Sequence, residues 1–280
     1  MIRQRNISLL SNRLAGAGGR RIPEAVLERD YCLAWFLMGL SRSPLRDRLA
    51  LKGGTALKRC YFGDYRFSEN LDFTMVAATP FETTREDLNP LFDEVRTASG
   101  VIFRYARDDR HGHENSHTFY LGYEGPLPPA AGQEIKVDIT IRERIMFPLR
   151  DRPVLRAYPE YADLPDGALV RAYSLEELAI EKIVAVTDPA RSEPRDLYDL
   201  WFLLESGHID LTQLRGGLQG KLTFRGRVVS RLREEYSAKE RRLRSLWAKR
   251  LSAQMAALPA FNRVFRAVQR RLRQAGLTGR

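Results

Sequence analysis

The stretch GGTALKRCYFGDYRFSENLDFTM, residues 53–75, decides how the rest of the chain is read. The apolar run Leu49-Ala50-Leu51-Lys52 enters it as a short strand and stops at Gly53-Gly54. Thr55 to Tyr61 then suits a short helix, and Leu71 to Val76 a second strand. Two glycines between a strand end and a helix start let backbone N–H groups approach an anion with no Cβ in the way. Thr55 in that setting caps the helix or touches a phosphate. By itself a Gly-Gly pair is an ordinary turn. Asn70 and Asp72 stand two apart at the start of the second strand, a spacing that points both side chains to one side of a sheet.

Working outward, the clearest strand pattern is Glu134 to Ile141. Ile135, Val137, Ile139 and Ile141 alternate there with Lys136, Asp138, Thr140 and Arg142, a period of two with one apolar face. Leu71 and Val137 would then point into a core. If the two strands are neighbours, Asn70, Asp72 and Asp138 form one oxygen cluster beside the glycine turn. Hard cations such as Mg²⁺ favour such ligands and keep substrate phosphates in the rest of their shell. The same residues equally describe the polar side of a solvated sheet, and spacing alone does not separate the two.

Around this centre, Pro23 to Leu37 reads as a helix, with proline in the first turn, an acid after it and apolar residues at helical spacing. Pro80 to Thr97 reads as another. Val101 to Tyr105 and His117 to Tyr123 are strand-like. A loop rich in Pro and Asp follows Pro148. Ser174 then caps a helix from Leu175 to Val186, with Glu177 in the capping-box position. Arg195 to Leu204 is helical, and from Leu211 onward the chain reads as helix, interrupted at Pro259. The expected class is α+β: a mixed-sheet domain over residues 1–150 followed by a helical domain over 151–280.

Composition narrows the function classes. The 280 residues are 44% hydrophobic, enough for a substantial core, and their 29% charged content is mixed in sign. No apolar run approaches membrane-spanning length and no signal-peptide segment follows Met1, so a soluble cytoplasmic protein is expected. Cys32 and Cys60 are the two cysteines and read as buried thiols rather than a disulfide framework. The net charge is +11, unevenly spread. Residues 215–280 hold 18 Lys and Arg against Glu234, Glu235 and Glu240, a net of +15 that leaves the remainder at −4. A basic C-terminal region beside a mildly acidic body fits a polyanionic partner such as nucleic acid. His111, His113 and His117, with Glu114 between them, have the spacing of a loop and no cysteine nearby, so they are not read as a zinc site.

Several separated motifs, in order, resemble the AbiEii (abortive-infection toxin) family of nucleotidyltransferase-like proteins, which includes the MenT toxins. They are Lys52-Gly53-Gly54-Thr55-Ala56-Leu57, Arg66-Phe67-Ser68-Glu69-Asn70-Leu71-Asp72-Phe73 and Lys136-Val137-Asp138. Leu178 to Lys182 is similar to the family's helix bearing a functional lysine, and Pro194 to Leu200 to its downstream helix with a functional acid. Glu28-Arg29-Asp30-Tyr31 fits as well, and Ala257-Leu258-Pro259 more loosely, so the likeness runs from about residue 20 to 265.

The resemblance implies a nucleotidyltransferase fold with a helical C-terminal part. It implies a toxin restrained by a cognate antitoxin, which moves nucleotides from an NTP, with Mg²⁺, onto RNA, the 3′ end of tRNA in the MenT branch. It makes Asp72, Asp138, Lys182 and Asp196 the catalytic set, with Asn70, Asp72 and Asp138 toward metal. Gly53, Gly54, Thr55, Arg66, Ser68 and Lys136 become the nucleotide-binding set. The chain departs at Asn70 from the general nucleotidyltransferase pattern of two carboxylates flanking one residue; the amide oxygen of Asn70 can ligate Mg²⁺ but adds no negative charge. A reading of another class is therefore kept beside the enzyme: a catalytically weak module of the same fold that binds RNA or a partner protein.

Overall fold

The computed structural model describes residues 1–110, 114–130 and 132–277. His111 and His113 lie outside the described residues. The chain divides into two compact units. One comprises Met1–Glu143, Leu149–Ala172 and Ala253–Ala256; the other comprises Arg144–Pro148, Tyr173–Ser252 and Ala257–Arg280.

The first unit opens with helices α1 (Gln4–Gly16) and α2 (Glu24–Leu40). Strand β1 (Leu49–Lys52) runs into the short helix α3 (Gly53–Ala56), and one π-helical turn, Leu57–Tyr61, completes it. Then come β2 (Leu71–Met75), α4 (Phe81–Ser99), β3 (Ile102–Asp108), β4 (Ser116–Glu124), β5 (Glu134–Thr140), β6 (Arg150–Pro153) and β7 (Leu169–Ala172). The strands form one seven-stranded mixed sheet in the order β3-β4-β5-β2-β1-β7-β6. β2 pairs in parallel with β5 and β1 with β7; the other pairings are antiparallel.

Alternation sorts the two faces of the central strands. Leu71 and Phe73 of β2, with Ile135, Val137 and Ile139 of β5, are buried, while Asp72, Lys136, Asp138 and Thr140 between them are half-exposed. Two expectations need correcting. The first unit runs past residue 150, because β6 and β7 extend the sheet beyond β1. The stretch from Arg150 to Ala172, expected as loop, supplies both strands. β6 reads Arg-Asp-Arg-Pro, with no apolar residue to announce it, so pairing with β7 rather than side-chain burial makes it a strand. Helix α1 also went unanticipated; its narrow stripe, Ile7 and Leu10, is buried.

Behind the glycine turn the first unit buries charge. Asp30 and Arg59 form an ion pair at 2.5 Å, each at most 2% exposed, and the Tyr161 hydroxyl donates to Asp30 at 3.2 Å. Lys58 is fully buried, and none of its hydrogen-bond partners among the described residues is a carboxylate. Its ammonium donates to the carbonyls of Gly63 (2.8 Å) and Tyr65 (3.0 Å) and to the Tyr158 hydroxyl (2.8 Å), and it lies over the Phe67 and Tyr158 rings. Cys32 and Cys60 are free and buried, as expected.

The second unit is helical: α5 (Leu175–Thr187), α6 (Pro194–Glu205), α7 (Arg215–Phe224), α8 (Leu232–Ala238), α9 (Glu240–Leu251) and α10 (Phe261–Gln274). Ser174 caps α5 by accepting from the Glu177 N–H at 3.3 Å. The Glu177 carboxylate does not return to the cap. It accepts from the N–H groups of Met146 and Phe147, both at 2.8 Å, and from buried Lys221 at 2.7 Å. No helix among the described residues is long and apolar enough to cross a membrane.

Burial pulls the Lys58 ammonium down to about 8, with Asp30 acting against that shift and Arg59 with it. The folded chain therefore releases this proton near pH 8, whereas the unfolded chain holds it to about 10.5. Between those values the unfolded state binds more protons, so the contribution of Lys58 to stability rises with pH. Denaturant unfolding of wild type and Lys58→Met should show their stability difference shift in favour of wild type by about 2 to 3 kcal/mol between pH 7.5 and 10. A difference independent of pH would show that Lys58 is not held in this state.

Candidate functional site

The polar face of the first unit's sheet is organised by strand register. Lys52 of β1 pairs with Asp72 of β2, Asp72 with Asp138 of β5, and Asp138 with Thr118 of β4. Four polar residues thus form one row across four strands, with the two carboxylates in its centre. Asn70 precedes β2 and continues its half-buried, buried, half-buried pattern through Leu71 to Asp72. Within the row, the Thr118 hydroxyl donates to Asp138 Oδ2 at 3.0 Å. Lys52 Nζ donates to the Thr140 hydroxyl at 2.6 Å, one row along.

The glycine turn closes directly on this row. Gly53 has φ +72°, a conformation that costs other residues, and a Cβ there would lie 2.6 Å from Asp72 Oδ2. A Cβ on Gly54 would lie 2.6 Å from the Arg66 guanidinium and 3.2 Å from Ser68 Oγ. Both glycines are therefore required by close approach: one by a carboxylate, the other by a cation and a hydroxyl.

The nucleotide-binding candidates divide by exposure. Thr55 is buried, and its hydroxyl donates to the Asn70 carbonyl at 2.5 Å. It fastens the turn to the start of β2 instead of capping α3, which has no side-chain cap. Arg66 is 4% exposed; it donates to the Phe67 carbonyl at 3.1 Å and to Gln254 Oε1 at 3.2 Å. Ser68 is nearly buried beside it. Lys136 lies two residues before Asp138 on the same face, and its ammonium is 3.8 Å from Asp109. Lys52, Thr118 and Gln254 received no role from the sequence. Lys52 sits inside a quoted motif and Thr118 inside an expected strand, so register was the missing signal. Gln254 is 188 positions from Arg66, and nothing local announces it.

Asp72 and Asp138 bring two charged, hard oxygen donors side by side, with the neutral oxygen of Asn70 near in sequence. That donor chemistry fits a divalent cation such as Mg²⁺. Among the described residues no group of three or more His, Cys, Asp and Glu side chains gathers as a metal site, so the pair and Asn70 are the candidates.

Lys182 and Asp196 belong to the second unit and meet there. Lys182 Nζ lies 2.7 Å from both Asp196 Oδ1 and Asp199 Oδ2, and Arg191 Nε lies 2.6 Å from Asp196 Oδ2. Asp199 has no exposed side-chain surface and Asp196 very little. Burial works to raise the Asp196 carboxyl, but Lys182 and Arg191 outweigh it and hold the group well below the usual carboxylate range. The network pairs two cations with two anions, and one ammonium bridges both acids.

A family model described as nucleotidyl transferase AbiEii toxin, Type IV TA system, matches residues 35–271. The structure is similar to that of MenT4, a nucleotidyltransferase toxin from Mycobacterium tuberculosis H37Rv. The TM-score is 0.64 at 18% identity, over 96% of this chain and 89% of that one, a likeness of fold. No curated protein sequence matches the chain significantly.

Removing the bridging ammonium strands buried acid. Lys182→Met should lower stability to denaturant at pH 7 by about 3 to 5 kcal/mol, the cost of leaving a buried partner uncompensated. The loss should shrink as the pH falls, because burial without the ammonium raises the stranded carboxyls and lets them protonate. A loss under about 1 kcal/mol at pH 7 would remove Lys182 from the support of this unit.

Proposed function

The chain belongs to the AbiEii nucleotidyl transferase toxin family of Type IV toxin–antitoxin systems, and we propose that it transfers nucleotides from an NTP to RNA. In this reading the acceptor is the 3′ end of tRNA, the reaction uses Mg²⁺, the consequence is a block in translation, and a cognate antitoxin restrains it. The observation that carries the proposal is the register of Asp72 with Asp138 beside the positive-φ turn at Gly53. It sets a carboxylate pair directly beside a glycine backbone that leaves no room for a Cβ.

The reaction attaches the acceptor hydroxyl oxygen to the α-phosphorus, breaks the α–β phosphoanhydride bond and releases pyrophosphate, with loss of the hydroxyl proton. Asp72 and Asp138 would hold Mg²⁺, with Asn70 as a neutral third oxygen; when bound, the ion supplies charge neutralisation at the triphosphate. The chain's own part is positioning. Gly53 and Gly54 add no Cβ of their own to the crowded turn, and the half-exposed backbone at Gly53 is the part a phosphate oxygen would approach, beside Asp72. Arg66 and Ser68 pack against Gly54 and fix the turn, and Arg66 adds positive charge beneath it. Lys52 and Lys136 place ammonium groups on the same face as the carboxylates, where they favour a polyanion. Lys182 and Asp196 enter as positioning residues, since each is engaged with the other.

Incubation of the protein with total RNA and each labelled NTP tests the proposal. Asp72→Ala and Asp138→Ala should abolish transfer with the fold retained, because both side chains are half-exposed and neither substitution opens a core cavity. Near-wild-type transfer by either variant would sink the carboxylate assignment. RNA bound by wild type without transfer of any nucleotide would favour the binding module.

Asn70→Asp is nearly isosteric and adds a charge next to the pair. Ligand charge helps set affinity for hard cations, while like charges repel when no cation bridges them. The variant should reach half-maximal transfer at a lower Mg²⁺ concentration and give the same RNA product. An unchanged midpoint, or no activity at any Mg²⁺ concentration, would take Asn70 out of the metal shell.

A further inference from the structure

Helix α6 has two unlike faces. Asp196, Asp199, Leu200 and Leu203 are buried, whereas Tyr198, Trp201 and Phe202 are half-exposed on the opposite side. Their rings form a connected series. Tyr198 and Trp201 have centroids 5.7 Å apart, Tyr198 and Phe202 6.4 Å, and Phe202 and the exposed His208 6.3 Å. The Trp201 indole N–H has no hydrogen-bond partner among the described residues.

Helix α10 meets this face. The Arg263 guanidinium lies 5.9 Å from the Trp201 ring centre, and Arg271 pairs with Glu205 at the end of α6 at 3.4 Å. From Arg263 an exposed stripe continues through Arg266, Arg270 and Arg273, the spacing of one helical face over about 15 Å. Arg266, Arg270 and Arg273 have no ion-pair partner among the described residues, and α10 contains no acid. A solvated helix face ordinarily mixes charge signs, and rings needed only for packing would be buried. Half-exposed rings met by Arg263, with Arg266 and Arg270 continuing along the same face of α10, instead combine base stacking with phosphate neutralisation, the two requirements of a single-stranded nucleic acid. A duplex would satisfy the arginines but keep its base faces stacked away from the rings. An acidic polypeptide would likewise leave the rings without a partner.

We infer that this face of the second unit binds an unpaired stretch of RNA, with bases stacked on Tyr198 and Trp201 and phosphates held by Arg263, Arg266 and Arg270. The inference rests on RNA as the acceptor and assigns that acceptor a surface on the side of α6 opposite Asp196.

The test is binding by the full chain without NTP. A labelled, unstructured oligouridylate of about twelve nucleotides and an RNA hairpin of the same charge are followed by anisotropy, with tryptophan emission recorded in parallel. The oligouridylate should bind more tightly than the hairpin and quench tryptophan emission, and Trp201→Phe should lose that quench. The combined variant Arg263→Gln, Arg266→Gln, Arg270→Gln should weaken oligouridylate binding about tenfold or more. It should also flatten the dependence of log affinity on log salt by about 2, at about 0.7 per lost phosphate contact. Tyr198→Leu with Trp201→Leu should weaken binding about 30-fold or more with the slope unchanged. An unchanged affinity and slope in the glutamine variant, a preference for the hairpin, or binding of polyglutamate but not of oligouridylate would each overturn the inference. These losses in a protein that transfers no nucleotide would support this surface while removing the transferase reading. Active transfer with binding untouched by the variants would overturn this surface alone.

Discussion

Parallel pairing of β2 with β5 is the constraint on which the site depends. Its register sets Asp72 beside Asp138, and like charges on facing strand positions cost a few tenths to about 1 kcal/mol. The fold softens that cost locally. Lys52 occupies the next position of the same row, and Thr118 donates a hydroxyl to Asp138 from the other side. It does not remove the carboxylates from water, and so leaves them able to accept a cation. Burying them would have traded the charge for a proton. The apolar residues between them, Leu71, Phe73, Val137 and Ile139, anchor both strands in the core, so the repulsion cannot be relieved by a shift in register without turning that core toward solvent.

Rigidity of the glycine turn comes from farther away. Gly53 and Gly54 would leave a loose connection if nothing packed against them. Arg66 fills the space beside Gly54 and is held by the Phe67 carbonyl and Gln254, and the Phe67 N–H reaches the Gln254 carbonyl at 2.8 Å. Thr55 ties the turn to Asn70. A segment from near the C-terminus thus completes the first unit and fixes the backbone against which the carboxylate lies, as a preorganised site requires.

The legible part of this architecture is the part encoded locally. Alternation in β5 gave its two faces, and the i, i+2 spacing gave Asn70 and Asp72 a common side. The glycine pair marked a close approach, although its neighbours proved to be Asp72, Arg66 and Ser68. Contacts made by distant residues were not legible. Gln254 against Arg66 has no local periodicity, and neither does the Lys182 bridge, whose partners lie on another helix and which reads in sequence as an ordinary amphipathic-helix lysine. β6 escaped because backbone pairing alone defines it. The AbiEii motifs marked Lys182 and Asp196 as a pair of interest; the structure adds Asp199 and Arg191 and shows why neither member stands alone.

The second unit also shows how its charge comes to lie where it does. Lys182 is shared by Asp196 and Asp199, and Lys221 by Glu177 and Glu181, each at 2.7 Å. Lys182 and Lys221 therefore each engage two carboxylates, and Arg191 and Arg225 add the second cation at the rim. Burial favours this arrangement, because an interior ammonium short of a partner is costly. It also draws four acids of α5 and α6 into pairing within the unit. Arg266, Arg270 and Arg273 of α10 then face solvent with no ion-pair partner among the described residues. A basic surface is the electrostatic complement of an interior that has taken up the unit's carboxylates, so the packing that stabilises these helices also leaves a face suited to a polyanion.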